Sequence, residues 1–148
     1  MIPESRETWS LHPKLAADTV PVGDLPLSNV AAMNDANYPW LILTPRRGGA
    51  VELIDLVEAD QARLMQEIAM VARALKAITA CDKLNIGALG NLVPQLHVHI
   101  VGRRRGDAAW PSPVWGQTPR PYAPAAAARF VRQVQGQLEA AEDFRKAD

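Results

Sequence analysis

The chain has 148 residues, with 16 lysines and arginines against 16 aspartates and glutamates, and a single cysteine. A formal charge of zero supplies no global field toward nucleic acid or an anionic membrane, so attraction for phosphate has to be local, and one cysteine excludes an internal disulfide framework. The length suits one ordinary domain over residues 1–148, no run reaches the roughly 20 apolar residues needed to cross a bilayer, and Met1 to Glu7 lacks the core of a signal peptide; the expectation is a cytoplasmic protein with a small anionic ligand and no nucleic-acid or membrane partner.

In chain order, the first two dozen residues are irregular and punctuated by proline, with Trp9 and Leu11 as anchors and a short strand expected over 15–22. Two apolar strands follow at 28–33 and 40–44, joined by Asn34-Asp35-Ala36-Asn37, whose residues favour tight reversal, so a hairpin is expected. A long helix then begins near Asp60, which is suited to cap it, with Leu64, Ile68, Val71, Leu75 and Ile78 forming one apolar stripe. Arg63, Glu67 and Arg73 are expected on the solvated side. After Cys81 come a strand at 84–88, a loop at Gly90-Asn91, and a strand carrying two of the three histidines. Hairpin-paired strands around one long helix predict an α+β fold, an antiparallel sheet covered by the helix.

The histidine strand reads Gln95-Leu96-His97-Val98-His99-Ile100-Val101-Gly102-Arg103. Side chains two apart share a face of a strand, so Gln95, His97 and His99 line one side and Leu96, Val98 and Ile100 the other. Two imidazoles on one face admit three readings. They are nucleophile and proton-handling groups, metal ligands, or polar residues satisfied by hydrogen bonds on a half-buried strand. A metal site needs three or four ligands, and the remaining His12 and Cys81 lie in a peripheral segment and at a helix end, so no metal is expected.

Beyond this strand, Arg103-Arg104-Arg105 reads as a solvated edge, with phosphate binding as the alternative. Trp110-Pro111-Ser112-Pro113-Val114-Trp115-Gly116 is a stiff loop with two indoles to bury, on the sheet, on a second subunit or under a nucleobase; burial is the favoured reading. Pro124 opens a last helix whose Phe130, Val131, Val134 and Leu138 form a narrow stripe, for its own domain or for a partner.

The histidine strand resembles the signature of the histidine triad (HIT) superfamily, in which three histidines alternate with apolar residues, with Gln95 standing where the first is expected. Upstream, Asn85-Ile86-Gly87-Ala88-Leu89-Gly90-Asn91 resembles the strand and glycine-containing loop that lead into that motif. Val30 to Asp35 and Trp40 to Arg47 resemble the strand pair that opens the family's nucleotide pocket. The Trp-Pro-x-Pro-Val-Trp-Gly segment is similar to one in bacterial members described as diadenosine tetraphosphate hydrolase-like. The resemblance spans a core of about residues 20–105, leaving 106–148 as a Trp/Pro loop and helix. It implies about five antiparallel strands packed with one long helix and a C-terminal helix, a nucleotide substrate, no cofactor, and a homodimer.

By the same resemblance His97 is the nucleophile toward the α-phosphorus of a nucleotide conjugate, giving a nucleotidyl-histidine that water or another acceptor resolves. His99 would hydrogen-bond a phosphoryl oxygen, with amides of Gly90 and Asn91 as further donors, while Asn34 meets the ribose and Asn85 the phosphate or scissile-bond oxygen. Two positions depart from the pattern. Gln95 retains hydrogen-bonding capacity but cannot change charge, and Trp40 stands where many members have a further histidine. A nucleotide-binding domain with little turnover, and a metal-binding or structural histidine pair, are therefore the alternatives to a hydrolase or transferase.

Overall fold

The computed structural model describes residues 9–141 and 143–148, so the Met1 to Glu7 stretch lies outside the described residues. Six strands form one antiparallel sheet in the order β4-β5-β3-β2-β1-β6. They are β1 (Thr19–Asp24), β2 (Ser28–Met33), β3 (Trp40–Pro45), β4 (Lys83–Gly87), β5 (Val98–Arg103) and β6 (Arg145–Lys146). The sheet thus has one strand more than expected. β6 is a two-residue edge pairing with Gly23 and Asp24, and a side chain at Gly23 would run into the Arg145 carbonyl and the Phe144 ring.

The β2–β3 hairpin forms as its turn residues predict. Asp35 Oδ1 accepts from the Asn37 N–H at 3.0 Å, the side-chain-to-backbone bond that lets aspartate hold a reversal, and the Arg120 N–H also reaches it at 3.2 Å. The expected strand over 15–22 is a helix for its first half: α1 (Pro13–Asp18) precedes β1. Proline at the first helical position costs no hydrogen bond there, and His12 Nδ1 accepts from the Lys14 N–H at 3.1 Å.

The long helix α2 (Glu58–Thr79) starts after Val57, not at an Asp60 cap. Asp60 sits in the first turn, where its charge complements the helix dipole, and holds Arg47 through contacts of 2.7 and 3.2 Å. Leu64, Ile68, Val71 and Leu75 pack beneath Leu41, Leu43, Val98 and Ile100 of the sheet, forming the main core. The helix α3 (Pro124–Leu138) docks its stripe on the same face, resolving that alternative in favour of its own fold.

Glu67 contradicts its assignment to the solvated side: it is 1 % exposed. Its Oε2 accepts from the Leu27 N–H at 2.9 Å, tying the β1–β2 turn to α2. Burial pushes this carboxyl above the ordinary glutamate range, against hydrogen bonds from the Leu27 and Ser28 region and the charge of Arg46.

The sheet's other face carries a second, smaller cluster of Tyr38, Trp40, Ile42, Val101 and Val114. Register decides which residues look this way, since Trp40 stands opposite Val101, Ile42 opposite His99 and Asn85 opposite Val101. Over it lies the loop from Asp107 to Pro121, with Val114 sealed and Trp115 against the cluster, so this loop plugs its own sheet.

Arg103 is buried rather than solvated. Its Nε and Nη2 each meet an Asp107 carboxylate oxygen at 2.8 Å, its Nη1 donates to Asn85 Oδ1 at 2.9 Å, and its guanidinium lies 5.5 Å from the ring centroids of both Tyr38 and Trp110. The pair holds the Asp107 carboxyl below the usual range, first through these hydrogen bonds. The arginine thus fastens the loop to the end of β5.

Candidate functional site

β5 is buried along its whole length between β3 and β4, and its second face presents His99 with His97 just before it. The two rings lie 4.9 Å apart, edge to face. Trp40 and Trp115 complete the group, at 5.6 and 5.4 Å from the His99 ring. Both histidines are largely buried, His97 at 6 % and His99 at 5 % exposure, yet both border cavities.

Hydrogen bonds fix the roles of the ring nitrogens. His97 Nδ1 lies 2.7 Å from the Gln95 carbonyl oxygen. A carbonyl only accepts, so Nδ1 donates, and in the neutral ring Nε2 then keeps its lone pair. His99 has the opposite arrangement, because Trp40 Nε1–H donates to its Nδ1 at 3.1 Å. Indole only donates; Nδ1 therefore accepts and the neutral ring's proton sits on Nε2. Burial, aided by the neighbouring His97, lowers the His99 pKa to about 4, so this ring is neutral at physiological pH. The site holds one imidazole with a free lone pair beside one built as a neutral donor.

The cavities line up around the pair. One of about 420 Å³ includes Asn34, Trp40, His99 and Trp115; a second of about 290 Å³ includes Gly90, Asn91, His97 and His99; a third of about 300 Å³ runs from His97 and Gly90 to Val51 and Ile54. The Gly90-Asn91 loop therefore stands beside His97, and Gly90 adopts a φ of +71°, a conformation that glycine reaches without strain. Asn34 borders the first cavity, where its Oδ1 accepts from the Tyr122 N–H at 2.9 Å. Asn85 occupies the same sheet face, with its oxygen engaged by Arg103.

Gln95 turns to the N-terminal segment. Its Oε1 accepts from the His12 N–H at 2.8 Å and its Nε2 donates to the Ser10 carbonyl at 3.0 Å. This brings α1 to the cavity edge, where Lys14 and Asp18 border both cavities that meet His99. The sequence reading passed over these two residues. Pro13 following His12 is the signal that a helix starts there, and the four-residue spacing pairs the two charges on it. Among the described residues no group of three or more His, Cys, Asp or Glu is arranged to hold a metal ion.

A family model described as the HIT domain matches residues 14–106, and the chain belongs to that family. Among solved structures it is similar to a histidine triad protein from Bradyrhizobium japonicum at 60 % identity, covering 87 % of this chain and 97 % of that one, with a TM-score of 0.85. It is also similar to a histidine triad protein from Sinorhizobium meliloti (42 % identity, 90 % and 100 % covered, TM-score 0.88). A third from Marinobacter aquaeolei has 43 % identity, 88 % and 96 % covered, and a TM-score of 0.86. No curated protein matches the chain. Family membership marks it as a nucleotide-binding protein of the HIT type, and no helix among the described residues is long and apolar enough to cross a membrane.

Proposed function

We propose that the protein is a nucleotide hydrolase or nucleotidyl transferase that attacks the α-phosphorus of a dinucleoside polyphosphate or nucleoside phosphoramidate through His97. The observation that carries this reading is the 2.7 Å bond from His97 Nδ1 to the Gln95 carbonyl, which in the neutral ring leaves the Nε2 lone pair uncommitted, on a residue that borders a cavity of about 290 Å³. A bond forms from Nε2 to phosphorus as the bond to the leaving group breaks, and the leaving group takes the electron pair. The carbonyl at Nδ1 stabilises the cationic ring so formed. Water then attacks phosphorus, the phosphorus–nitrogen bond breaks, and the nucleoside monophosphate leaves with the neutral imidazole restored; another acceptor in place of water makes the reaction a transfer.

His99 would donate from Nε2 to a phosphoryl oxygen, with Gly90 and Asn91 amides beside it. Asn34 retains its amide N–H₂ for the ribose, and Asn85 is held by Arg103 at the rear of the site. Incubation with nucleotidyl conjugates, followed by mass analysis, should find a nucleotidyl adduct on His97, and His97→Ala should abolish release of nucleoside monophosphate while retaining the fold. Undiminished turnover in His97→Ala would eliminate His97 as nucleophile.

A binding domain with little turnover is the second reading, favoured by the engagement of Gln95 with Ser10 and His12 away from proton transfer. In that case nucleotide raises the melting temperature and no conjugate is consumed. The homodimer expectation has its own support. β4 is an edge of the sheet, and Ile86 on it (48 % exposed) adjoins Leu53 (47 %) and Met65 (64 %) around an apolar groove. An open edge beside an apolar patch suits a two-fold pairing of β4 and α2 with a second copy. Ultracentrifugation should give a dimer at micromolar concentration, and a monomer there would refute it.

A further inference from the structure

Resting on the His97 reading, we propose that Lys14 selects a leaving group made of phosphate, and that Gln95 is the positioning residue that holds Lys14 at the cavity edge. Gln95 does not titrate, and His99 is a neutral ring whose Nδ1 is occupied by Trp40. Neither Gln95 nor His99 hands a proton to a departing atom, so a leaving group that is stable as an anion is favoured over an amine, which must be protonated to leave. When His97 Nε2 bonds to the α-phosphorus and the bridging phosphorus–oxygen bond breaks, the electron pair stays on the leaving phosphate oxygen. That charge needs a cation.

The arginines 103–105 at the end of β5 do not provide it, since none of them borders the two cavities that meet His99. Arg103 is spent on Asp107 and Asn85, and Arg104 reaches back to the Thr79 carbonyl. Among the described residues, Lys14 is the cation bordering the two cavities that meet His99, and it borders both. It pairs with Asp18 at 3.0 Å, with 54 % and 42 % of the two side chains exposed. Such an exposed pair contributes little to stability and yields readily to a multiply charged phosphate chain.

Gln95 explains why the lysine is there. A primary amide presents donor and acceptor side by side, matching the Ser10 carbonyl and the His12 N–H, and His12 Nδ1 in turn accepts from the Lys14 N–H. An imidazole carries its two nitrogens apart and does not match that pair. The replacement of the first triad histidine thus exchanges a titrating group for a clamp that delivers a fixed charge.

Tryptophan fluorescence of the full chain tests this, since Trp40 and Trp115 border the cavity. The ligands are AMP and the α,β-methylene analogue of ATP, which resists cleavage at the α-phosphorus. The wild-type chain should bind the triphosphate more tightly; Lys14→Met should reduce that preference about tenfold, and Asp18→Asn should increase it. Gln95→Ala should reproduce the Lys14→Met preference, with the double variant no lower than either single one.

An unchanged preference in Lys14→Met overturns the proposal, as does additivity between Gln95→Ala and Lys14→Met, or failure of both nucleotides to bind. If Gln95→Ala does not fold, the opposite responses of the exposed Lys14 and Asp18 still decide. A Lys14-dependent preference without turnover overturns both the nucleophilic role of His97 and selection of a leaving group, reducing Lys14 to a phosphate-chain contact, whereas turnover with an unaltered preference overturns the role of Lys14 alone.

Discussion

Trp40 on β3 and His99 on β5 are diagonal neighbours on one face of the sheet, and the indole N–H of Trp40 donates to His99 Nδ1 at 3.1 Å. The pair fixes His99 as an Nε2–H tautomer before any ligand arrives. Trp40→Phe retains the apolar body but releases Nδ1, so the tautomer becomes mixed and the ring is free to turn. If His99 serves a phosphoryl oxygen, kcat should fall about 10-fold to 10²-fold, the scale of a misplaced catalytic group. Nitrogen NMR of the imidazole checks the cause directly: one tautomer in the wild type, two in the variant. Full activity with a mixed tautomer would show that this bond does not matter to the chemistry.

The depressed pKa of His99 has a consequence for stability. The unfolded ring titrates near 6.5 and the folded one at about 4. The contribution is fully present above the unfolded value and is lost as pH falls through the folded one, because the unfolded chain takes up the proton first. Between pH 7 and 4 this should remove on the order of 3 kcal/mol, a shift of several degrees in Tm. His99→Gln should flatten the Tm–pH curve across that window, as a melting series in steps of pH would show.

Glu67 should act with the opposite sign. Its carboxyl is raised by burial, so its contribution is greatest when the group is protonated and declines as pH rises through the folded value. Glu67→Gln keeps an oxygen for the Leu27 N–H and removes the buried charge. The variant should melt a few degrees higher than wild type at pH 8, with the difference closing toward pH 4. A constant difference at all pH values would mean that packing, not ionisation, is responsible.

Glu67 also shows where sequence reading succeeds and where it stops. The β2–β3 hairpin was legible because apolar strands and turn chemistry agreed, and the buried stripe of α2 because its period was clear. Glu67 is expected on the solvated side because it is charged, although it falls three residues after Leu64 and four before Val71, the spacing of the buried stripe itself; the Leu27 amide that compensates it lies 40 residues away. Arg103 has the same parity as His97 and His99, which puts it on the site's face, yet its partners Asp107, Tyr38 and Trp110 come together only through the loop. The imidazole pair was readable as a pattern. Its proton assignments were not, because they depend on the Gln95 carbonyl and Trp40, whose positions follow from pairing between distant strands.

Arg103 supports the last prediction. With both ends of its guanidinium committed and aromatic rings nearby, Arg103→Met leaves Asp107 without its cation and Asn85 without its donor. Removing one partner of a buried pair costs about 3 kcal/mol or more, because the remaining charge is stranded. Denaturant unfolding should report that loss. The loop carrying Val114 and Trp115 is fastened by this bond, so the wall of the cavity next to His99 should loosen as well. Nucleotide affinity should then fall in Arg103→Met even under conditions where the variant is fully folded, and a double replacement of Arg103 and Asp107 by apolar residues should recover stability before it recovers affinity. Recovery of both together would show that the ion pair shapes the cavity only through global stability.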